Sequence, residues 1–243
     1  MKPRTLHLFL PLLLAAALAP TAGQAQVYKQ PNGYTWGELS LLPEYCKDVQ
    51  GVLYGDSTSP SPRAAEWVGI MGQDFWHMHH YCRALVLVQR SQAAGLGQNT
   101  KANLYDRAQV DYEYTIRNAS AATPLMPEVL LRYGELLLLR NNMEGAGEAF
   151  EQARQLKPDY WPAYTRWIDV LMGLKRYDTA RALAETGLQN APGNPELQRR
   201  LDAIKRPGSV HAANAGGGKK AAAVMPQGAA SAAAAAASAP PAN

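Results

Sequence analysis

The fold is decided by two adjacent stretches of equal length in the second half of the chain. Residues 127–160 read PEVLLRYGELLLLRNNMEGAGEAFEQARQLKPDY, and residues 161–194 read WPAYTRWIDVLMGLKRYDTARALAETGLQNAPGN. When 34 is added to a residue number in the first stretch, most large residues of the pattern fall on large ones, most small residues fall on small ones, and Pro158 falls on Pro192. Self-similarity at a fixed period of this size is the signature of stacked structural repeats. The sequence therefore predicts repeat units that stack into a short solenoid.

The recurring positions have the spacing of two helices that pack against each other. Large residues recur where a first helix packs, small residues recur where two helices cross closely, and proline recurs at the exit of the second helix. The first repeat carries Leu130, Tyr133, Gly134, Leu137, Ala146, Phe150, Ala153 and Pro158. The second repeat carries Tyr164, Trp167, Ile168, Leu171, Ala180, Ala184, Gly187 and Pro192.

This spacing resembles the tetratricopeptide repeat, whose motif is W-x2-L-G-x2-Y, then A-x3-F, then P. The resemblance covers residues 127–194. It departs from the motif at Ile168, where a small residue is expected, and at Ala184, where an aromatic residue is expected. A tighter or skewed helix crossing is therefore predicted in the second repeat. The resemblance implies an all-α fold, a short α-solenoid in which residues 123–206 form two repeats and a capping helix that begins at Pro195.

Residues 26–122 are predicted to form a helical N-terminal region, because their apolar residues recur at three and four positions and no stretch alternates with period two. Part of this region has the spacing of a degenerate repeat. Its linking loop would be about a dozen residues longer than the motif allows, so the sequence alone does not decide whether this repeat is present. The positions that carry the spacing are His80, Arg83, Ala84, Leu87, Ala108 and Tyr112.

Capping residues predict where the N-terminal helices begin. Thr35 opens a capping box, and residues 43–53 are predicted to form a helix with proline in its first turn. Asp74 is expected to cap the following helix, in preference to acting as an acid–base partner of His77. Thr100 is expected to cap the long helix after that one.

The two ends of the chain have the composition of segments that do not belong to a folded core. Residues 1–25 are predicted to be a secretory signal peptide, because two cations precede the apolar run 6–18 and small residues stand at the cleavage site. The alternative is an uncleaved membrane anchor. Residues 207–243 are mostly Ala, Gly, Ser and Pro, and are predicted to be disordered. Export predicts that the protein is located in the periplasm or outside the cell. Segments 42–46 and 75–82 also resemble the N-terminal part of exported proteobacterial repeat proteins.

The charge balance argues against a nucleic-acid partner. The chain has 24 basic and 20 acidic residues. Lys2, Arg4, Lys219 and Lys220 lie in the predicted signal peptide or tail, which leaves 20 of each sign in the core. A nucleic-acid-binding domain would need a basic surface. Catalytic and nucleotide-binding motifs are also absent from the sequence, so neither an enzyme nor a cofactor is predicted.

The two cysteines and a histidine cluster support two interpretations. In an exported protein, Cys46 and Cys82 are a natural pair for one disulfide. Alternatively, Cys82 joins His77, His79 and His80 in a redox or metal site, because thiolate and imidazole ligands suit zinc and copper. The histidines and the cysteine do not share one helix face, and the thiolate would have to stay reduced. The disulfide is therefore preferred, and no metal is predicted.

The tetratricopeptide resemblance implies that a peptide or helix of another protein binds the concave face, which the first helix of each repeat lines. Repeat alignment predicts nine residues that line or flank this face. They are Glu128, Leu131, Arg132, Glu135, Leu138, Thr165, Arg166, Asp169 and Met172. An apolar strip with acids beside it suits an amphipathic or basic segment. The leading hypothesis is a periplasmic scaffold or assembly factor, and a redox or metal-handling accessory protein is the alternative.

One binding mode of the family is not expected here. Co-chaperones of this family hold a C-terminal carboxylate with paired lysines and asparagines. In this sequence Leu131 and Thr165 stand where a lysine would be needed, and Glu135 and Asp169 stand where an asparagine would be. An acidic face would also repel a carboxylate.

Overall fold

The computed structural model describes residues 33–54 and 60–205. The predicted signal peptide (1–25) and the predicted disordered tail (207–243) lie outside these residues. The described ranges contain helices, short 3-10 turns and one isolated bridge, and no β-strand. No helix in them is long and apolar enough to cross a membrane. The helices are α1 (Trp36–Ser40), α2 (Ala64–Met71), α3 (Met78–Ser91), α4 (Gln98–Asn118), α5 (Met126–Leu139), α6 (Met143–Leu156), α7 (Trp161–Gly173), α8 (Tyr177–Asn190) and α9 (Pro195–Lys205).

Helices α5 to α9 form the all-α solenoid that the repeat predicts. Helix α5 pairs with α6, α7 pairs with α8, and α9 packs on both α7 and α8. Pro127 and Pro162 lie in the first turns of α5 and α7, where a proline leaves no intrahelical hydrogen bond unmade. Each hairpin buries its apolar face against the next hairpin, as a stacked repeat requires.

The turn inside each repeat is built in the same way at positions 34 residues apart. Asn141 and Lys175 both have a left-handed backbone, with φ angles of 60° and 59°. The next amide in each turn donates to a carbonyl five residues back, at 2.9 Å in the first repeat and 2.8 Å in the second. This hydrogen bond is characteristic of the Schellman motif, which satisfies the last carbonyls of a helix. The repeat is therefore conserved in backbone geometry as well as in apolar spacing.

The second repeat departs from the motif at two positions, where the large and the small side chain are swapped between the two helices. In the first repeat, an ideal Cβ on Gly134 would lie 2.6 Å from Cε1 of Phe150. In the second repeat, Ile168 replaces that glycine and Ala184 replaces that phenylalanine, and both are fully buried. The large residue thus lies on the first helix instead of the second. The total side-chain volume between the two helices is kept, which is the kind of exchange that cores tolerate best.

We expect Gly134→Ala to lower the free energy of unfolding by about 1–3 kcal/mol, because the added methyl group overpacks the contact with Phe150. Gly173→Ala is the matched control, since its ideal Cβ meets no heavy atom within 4 Å. The control should be neutral, or stabilising by up to about 1 kcal/mol. Urea denaturation followed by circular dichroism measures both. Equal tolerance of the two substitutions would contradict the close crossing.

A third helical hairpin, α3 with α4, precedes the two repeats and packs on α5. Asp111 of α4 is 2% exposed and accepts hydrogen bonds from Nε of Arg83 at 2.6 Å and from Nδ1 of His80 at 2.7 Å. The expectation of an overlong loop is wrong. Only residues 92–97 link the two helices, and the extra residues lengthen α4, which has 21 residues.

The predicted helix boundaries near the N-terminus are only partly correct. The capping box at Thr35 is confirmed, with its hydroxyl accepting the amide of Glu38 at 3.2 Å. The helix predicted over residues 43–53 is reduced to one 3-10 turn, Glu44–Lys47. Two predicted caps are wrong. Thr100 lies inside α4, which begins at Gln98. The carboxylate of Asp74, in the 3-10 turn before α3, accepts a hydrogen bond from the distant amide of Ser120 at 3.0 Å and so connects this turn to the end of α4.

Candidate functional site

The N-terminal segment, residues 33–54, lies on one identifiable side of α3. His80 faces α4, because it contacts Asp111 on that helix. Cys82 points to the opposite side, since helix positions two apart differ by about 200°. It is bonded to Cys46, with the two Cα atoms 5.5 Å apart. The predicted disulfide is therefore present, and it places the N-terminal segment on the face of α3 that corresponds to the concave face of α5 and α7.

Two further contacts hold residues 33–54, which we call the covering segment, on α3. Nε and Nη2 of Arg90 donate to the two carboxylate oxygens of Glu38 at 2.6 and 3.0 Å. This forked hydrogen bonding lowers the pKa of Glu38 to about 2. Near the other end of the segment, Gln50 contacts Nε2 of His79 at 3.1 Å. The covering segment is thus attached to α3 at three points, and the disulfide lies between the other two.

Tyr45, beside the disulfide, brings the covering segment close to charged groups of α5. Its side chain is buried, and this burial raises its pKa well above the usual range, with the negative charge of Glu128 acting in the same direction. Glu128 accepts the hydroxyl hydrogen of Tyr81 at 3.2 Å, and burial raises the pKa of its carboxyl. The concave face at the start of α5 is therefore an internal polar cluster, covered by the chain's own N-terminal segment.

The nine predicted partner-binding residues separate into a buried group and an accessible group. A buried side chain offers no surface to a partner, so four of the predicted contacts are corrected. These four are Glu128, Leu131, Arg132 and Thr165, each 9% exposed or less. The other five remain at least partly accessible, and we call them the open concave strip. They are Glu135, Leu138, Arg166, Asp169 and Met172.

The charges of the open concave strip are balanced, which corrects the expectation of an acidic face. Glu135 lies 3.0 Å from Nη1 of Arg132 and 3.3 Å from Nε of Arg166. Asp169 accepts two hydrogen bonds from the guanidinium of Arg200 in α9, at 2.8 and 2.7 Å. Each acid therefore has an arginine beside it. The apolar part of the strip consists of two side chains, Leu138 and Met172, each one helical turn beyond an ion-paired acid.

The histidine cluster does not form a metal site in the part of the chain that the structure describes. The sulfur of Cys82 is bonded in the disulfide. His79 donates to the backbone carbonyl of Trp76 at 2.8 Å, and His80 is held by a carboxylate of α4. The ring of His77 lies against a tyrosine ring of α4, with centroids 6.0 Å apart. The four candidate ligands therefore each have a separate structural partner among the described residues.

Two residues that shape the site are missing from the sequence-based prediction. Tyr45 is buried near enough to Glu128 for that carboxylate to raise its pKa, and its position next to a paired cysteine was the only signal for it. Arg200 neutralises Asp169, and nothing in the repeat spacing indicates it. Its pairing depends on how α9 stacks against α7.

Comparison with known sequences supports the repeat assignment. Residues 137–203 match the sequence model of a family described as tetratricopeptide repeat. A search of curated proteins finds no match. The matched residues include most of the helical hairpins of α5 to α9, which have the arrangement of tetratricopeptide repeats. This fold serves in general as a protein-interaction scaffold.

Three solved structures are similar to this chain. The first is the first TPR domain of Spaghetti (RPAP3) bound to the HSP90 peptide SRMEEVD, at 22% identity over 51% of this chain and 94% of that one, with a TM-score of 0.36. The second is the second TPR domain of human RPAP3 in complex with the HSP70 peptide SGPTIEEVD, at 24% identity over 52% of this chain and 98% of that one, with a TM-score of 0.35. The third is the Sgt2 TPR domain from Aspergillus fumigatus, at 24% identity over 58% of this chain and 87% of that one, with a TM-score of 0.36.

We expect removal of the disulfide by Cys46→Ala with Cys82→Ala to lower the free energy of unfolding by about 4 kcal/mol, because the bond closes a loop of 36 residues. Urea denaturation with and without dithiothreitol measures the loss. Reductant should destabilise the wild type and have no effect on the double variant, which serves as its own control. A variant as stable as the wild type would contradict the anchoring role of the bond.

The stability should depend on pH through His79. Burial lowers the pKa of His79 to about 4, and the charge of the neighbouring His80 acts in the same direction, against the hydrogen bond to the carbonyl of Trp76, which raises the pKa. The unfolded chain has the ordinary pKa of about 6.5, so it binds more protons than the folded chain between these values. Stability therefore falls as the pH drops from about 6.5 towards 4.

Denaturation midpoints at two pH values above and below the ordinary histidine pKa test this contribution, for example at about 7 and 5. His79→Gln should flatten the loss of stability on acidification. His77→Gln is the control, because it removes a neighbouring histidine whose ring contacts Tyr114 instead of the covering segment. An unchanged slope in His79→Gln would assign the pH dependence to another group.

Proposed function

We propose that this protein is a scaffold or assembly factor that binds a segment of another protein along the open concave strip, and that it acts by binding and not by catalysis. The observation that supports this proposal is the accessibility of Leu138 and Met172 on first helices of successive repeats. The remaining concave surface at the start of the solenoid is covered by residues 33–54. The covering segment thus limits binding to the half of the concave face formed by α5, α7 and α9.

The chemistry of the open concave strip favours an amphipathic segment with an apolar anchor. Leu138 and Met172 lie on adjacent helices and offer an adaptable apolar contact, since methionine side chains repack easily. The ion pairs of Glu135 and Asp169 flank this contact and provide hydrogen-bonding partners at its rim. Because these charges are balanced, a strongly basic or acidic partner gains no electrostatic advantage. A helix that lays one apolar face into the strip fits these features best.

Mutation of the apolar anchor tests this proposal. We expect Leu138→Glu with Met172→Glu to abolish capture of partner proteins from a cell-envelope extract, because two carboxylates would be placed in the apolar contact. Val110→Glu is the matched control, since Val110 is 61% exposed on α4, away from the open concave strip. Quantitative mass spectrometry of proteins captured by the three immobilised forms gives the result.

The same experiment can contradict the proposal. Circular dichroism and an intact disulfide establish that each variant is folded. If the folded double variant captures the same proteins at the same level as the wild type, the binding surface lies elsewhere. If Val110→Glu loses capture to the same extent, the effect is not specific to the open concave strip.

We further propose that the protein works in the periplasm or outside the cell. The predicted signal peptide and the disulfide between two fully buried cysteines support this location, because such bonds persist in oxidising compartments. Intact-mass analysis of the protein recovered from the cell envelope should show a chain beginning at Gln26. Its mass should be lower than that of the reduced form by two hydrogen atoms, because the disulfide forms by loss of two protons and two electrons. Recovery from the cytoplasm with two free thiols would contradict this location.

A further inference from the structure

A second surface with the features of a binding site lies between α6 and the turn after α7. It is a cavity of about 480 Å³. We call it the α6–α7 groove and define it by six of its lining residues. They are Met143, Glu144, Gly147, Glu148, Trp167 and Leu174.

The floor of this groove is apolar. The ideal Cβ of Gly147 would lie 3.0 Å from the indole of Trp167, so the glycine lets that ring pack directly against the backbone of α6. Met143 and Leu174 are 39% and 46% exposed at the two edges. A side chain placed between them would cover apolar surface that now faces water.

The rim of the groove carries acids that the described residues leave unpaired. Glu144 and Glu148 are one helical turn apart on α6, and both are exposed. Neither has a cationic partner within residues 33–54 and 60–205. Glu151, the next acid along this face, is paired with Arg154. Arg176 also lines the groove, and no acid pairs with it among the described residues. The unpaired charges of the groove are therefore two carboxylates, side by side, and one guanidinium, with a net charge of one negative.

The α6–α7 groove is separate from the open concave strip. On a helix with 100° per residue, Trp167 and Leu174 lie within about 20° of each other. Asp169 and Met172 lie on the opposite side of α7, roughly 140–200° from Trp167. A ligand in the groove would thus leave the concave face unoccupied.

The end of α9 lies at the same level along α7 as the turn that lines this groove. Tyr164 of α7 and Leu197 of α9 both contact the position of Gly187, and Asp169 of α7 pairs with Arg200 of α9. The residue numbers increase on both helices from the first contact to the second, so α7 and α9 run in the same direction. The end of α9 at Lys205 is therefore level with the turn after α7, and packed helix axes are about 8–10 Å apart.

The chain that follows α9 carries a segment complementary to the groove. Residues 207–243 contain no acidic residue, and their only lysines are the adjacent pair Lys219 and Lys220. Three alanines later come Val224 and Met225, the same kind of side chain as the floor of the groove. Fourteen residues separate Lys205 from Lys219 and span at most about 45 Å. The lysine pair can therefore reach Glu144 and Glu148 from the end of α9.

We propose that residues 219–225 of the same chain bind in the α6–α7 groove, with Lys219 and Lys220 on the carboxylates of Glu144 and Glu148 and with Val224 or Met225 between Met143 and Leu174. The contact is intramolecular and is independent of the partner proposed for the concave face. It gives the tail a fixed attachment on the solenoid.

Photo-cross-linking in the full-length chain tests this contact. A benzoylphenylalanine replaces Leu174 at the groove or, as the matched control, Val110, which is 61% exposed on α4. After irradiation, peptide mapping should find residues 219–225 joined to position 174 within one chain, and not to position 110. Lys219→Ser with Lys220→Ser should reduce the yield at position 174 about fivefold, the effect of two exposed ion pairs.

A second pair of variants and the solution conditions make the result decisive. Glu144→Gln with Glu148→Gln should reduce the yield as much as the lysine variant does, and salt near 1 M should do the same in the wild type, because it shortens the Debye length to about 3 Å. Equal cross-linking yields at positions 174 and 110, or a yield at position 174 that neither pair of substitutions changes, would overturn the proposal. Cross-links found only between two chains, rising with protein concentration, would also overturn it in favour of a second copy.

Discussion

A helical hairpin of this size cannot cover its own apolar face, and the architecture follows from how each such face is covered. In the second half of the chain, the hairpin of α5 and α6 is covered by α7 and α8, and α9 covers the last of these pairs. At the other end the same requirement is met by α3 and α4. The concave side of α3 has no preceding repeat helix, so an irregular segment, residues 33–54, covers it and is fixed there by the bond between Cys46 and Cys82. The accessible part of the concave face is what remains after this covering.

The parts of the fold that depend on local spacing were predictable from the sequence. The 34-residue period fixes the bounds of α5 to α8 closely, because apolar periodicity, first-turn prolines and turn residues all agree there. The capping box at Thr35 was predictable because it depends on residues three apart, and the disulfide was predictable because the sequence has only two cysteines. The N-terminal region was harder. A 3-10 turn at Glu44–Lys47 and the extra length of α4 have no periodicity of their own, since tertiary packing selects them.

The candidate site was predictable only to the level of a helix face. Repeat alignment places Leu138 and Met172 on that face, but it cannot show that Leu131 and Glu128 are buried, or that Tyr45, more than 70 residues earlier in the sequence, lies near Glu128. The charge of the face was also inaccessible to sequence reasoning. Arg132 lies three residues before Glu135, but Arg200 reaches Asp169 only because α9 stacks on α7. Net charge along a repeat therefore says little about the potential of the surface that it forms.

The exchanged pair in the second repeat has a consequence for how this sequence can change over time. Ile168 and Ala184 fill the space that glycine and phenylalanine fill one repeat earlier, so neither position can return to the family's usual residue alone. A lone phenylalanine at 184 would meet an isoleucine already in its place, and a lone glycine at 168 would leave a void. Such a coupling restricts the second repeat to correlated substitutions. Relatives of this chain should carry either both unusual residues or neither of them.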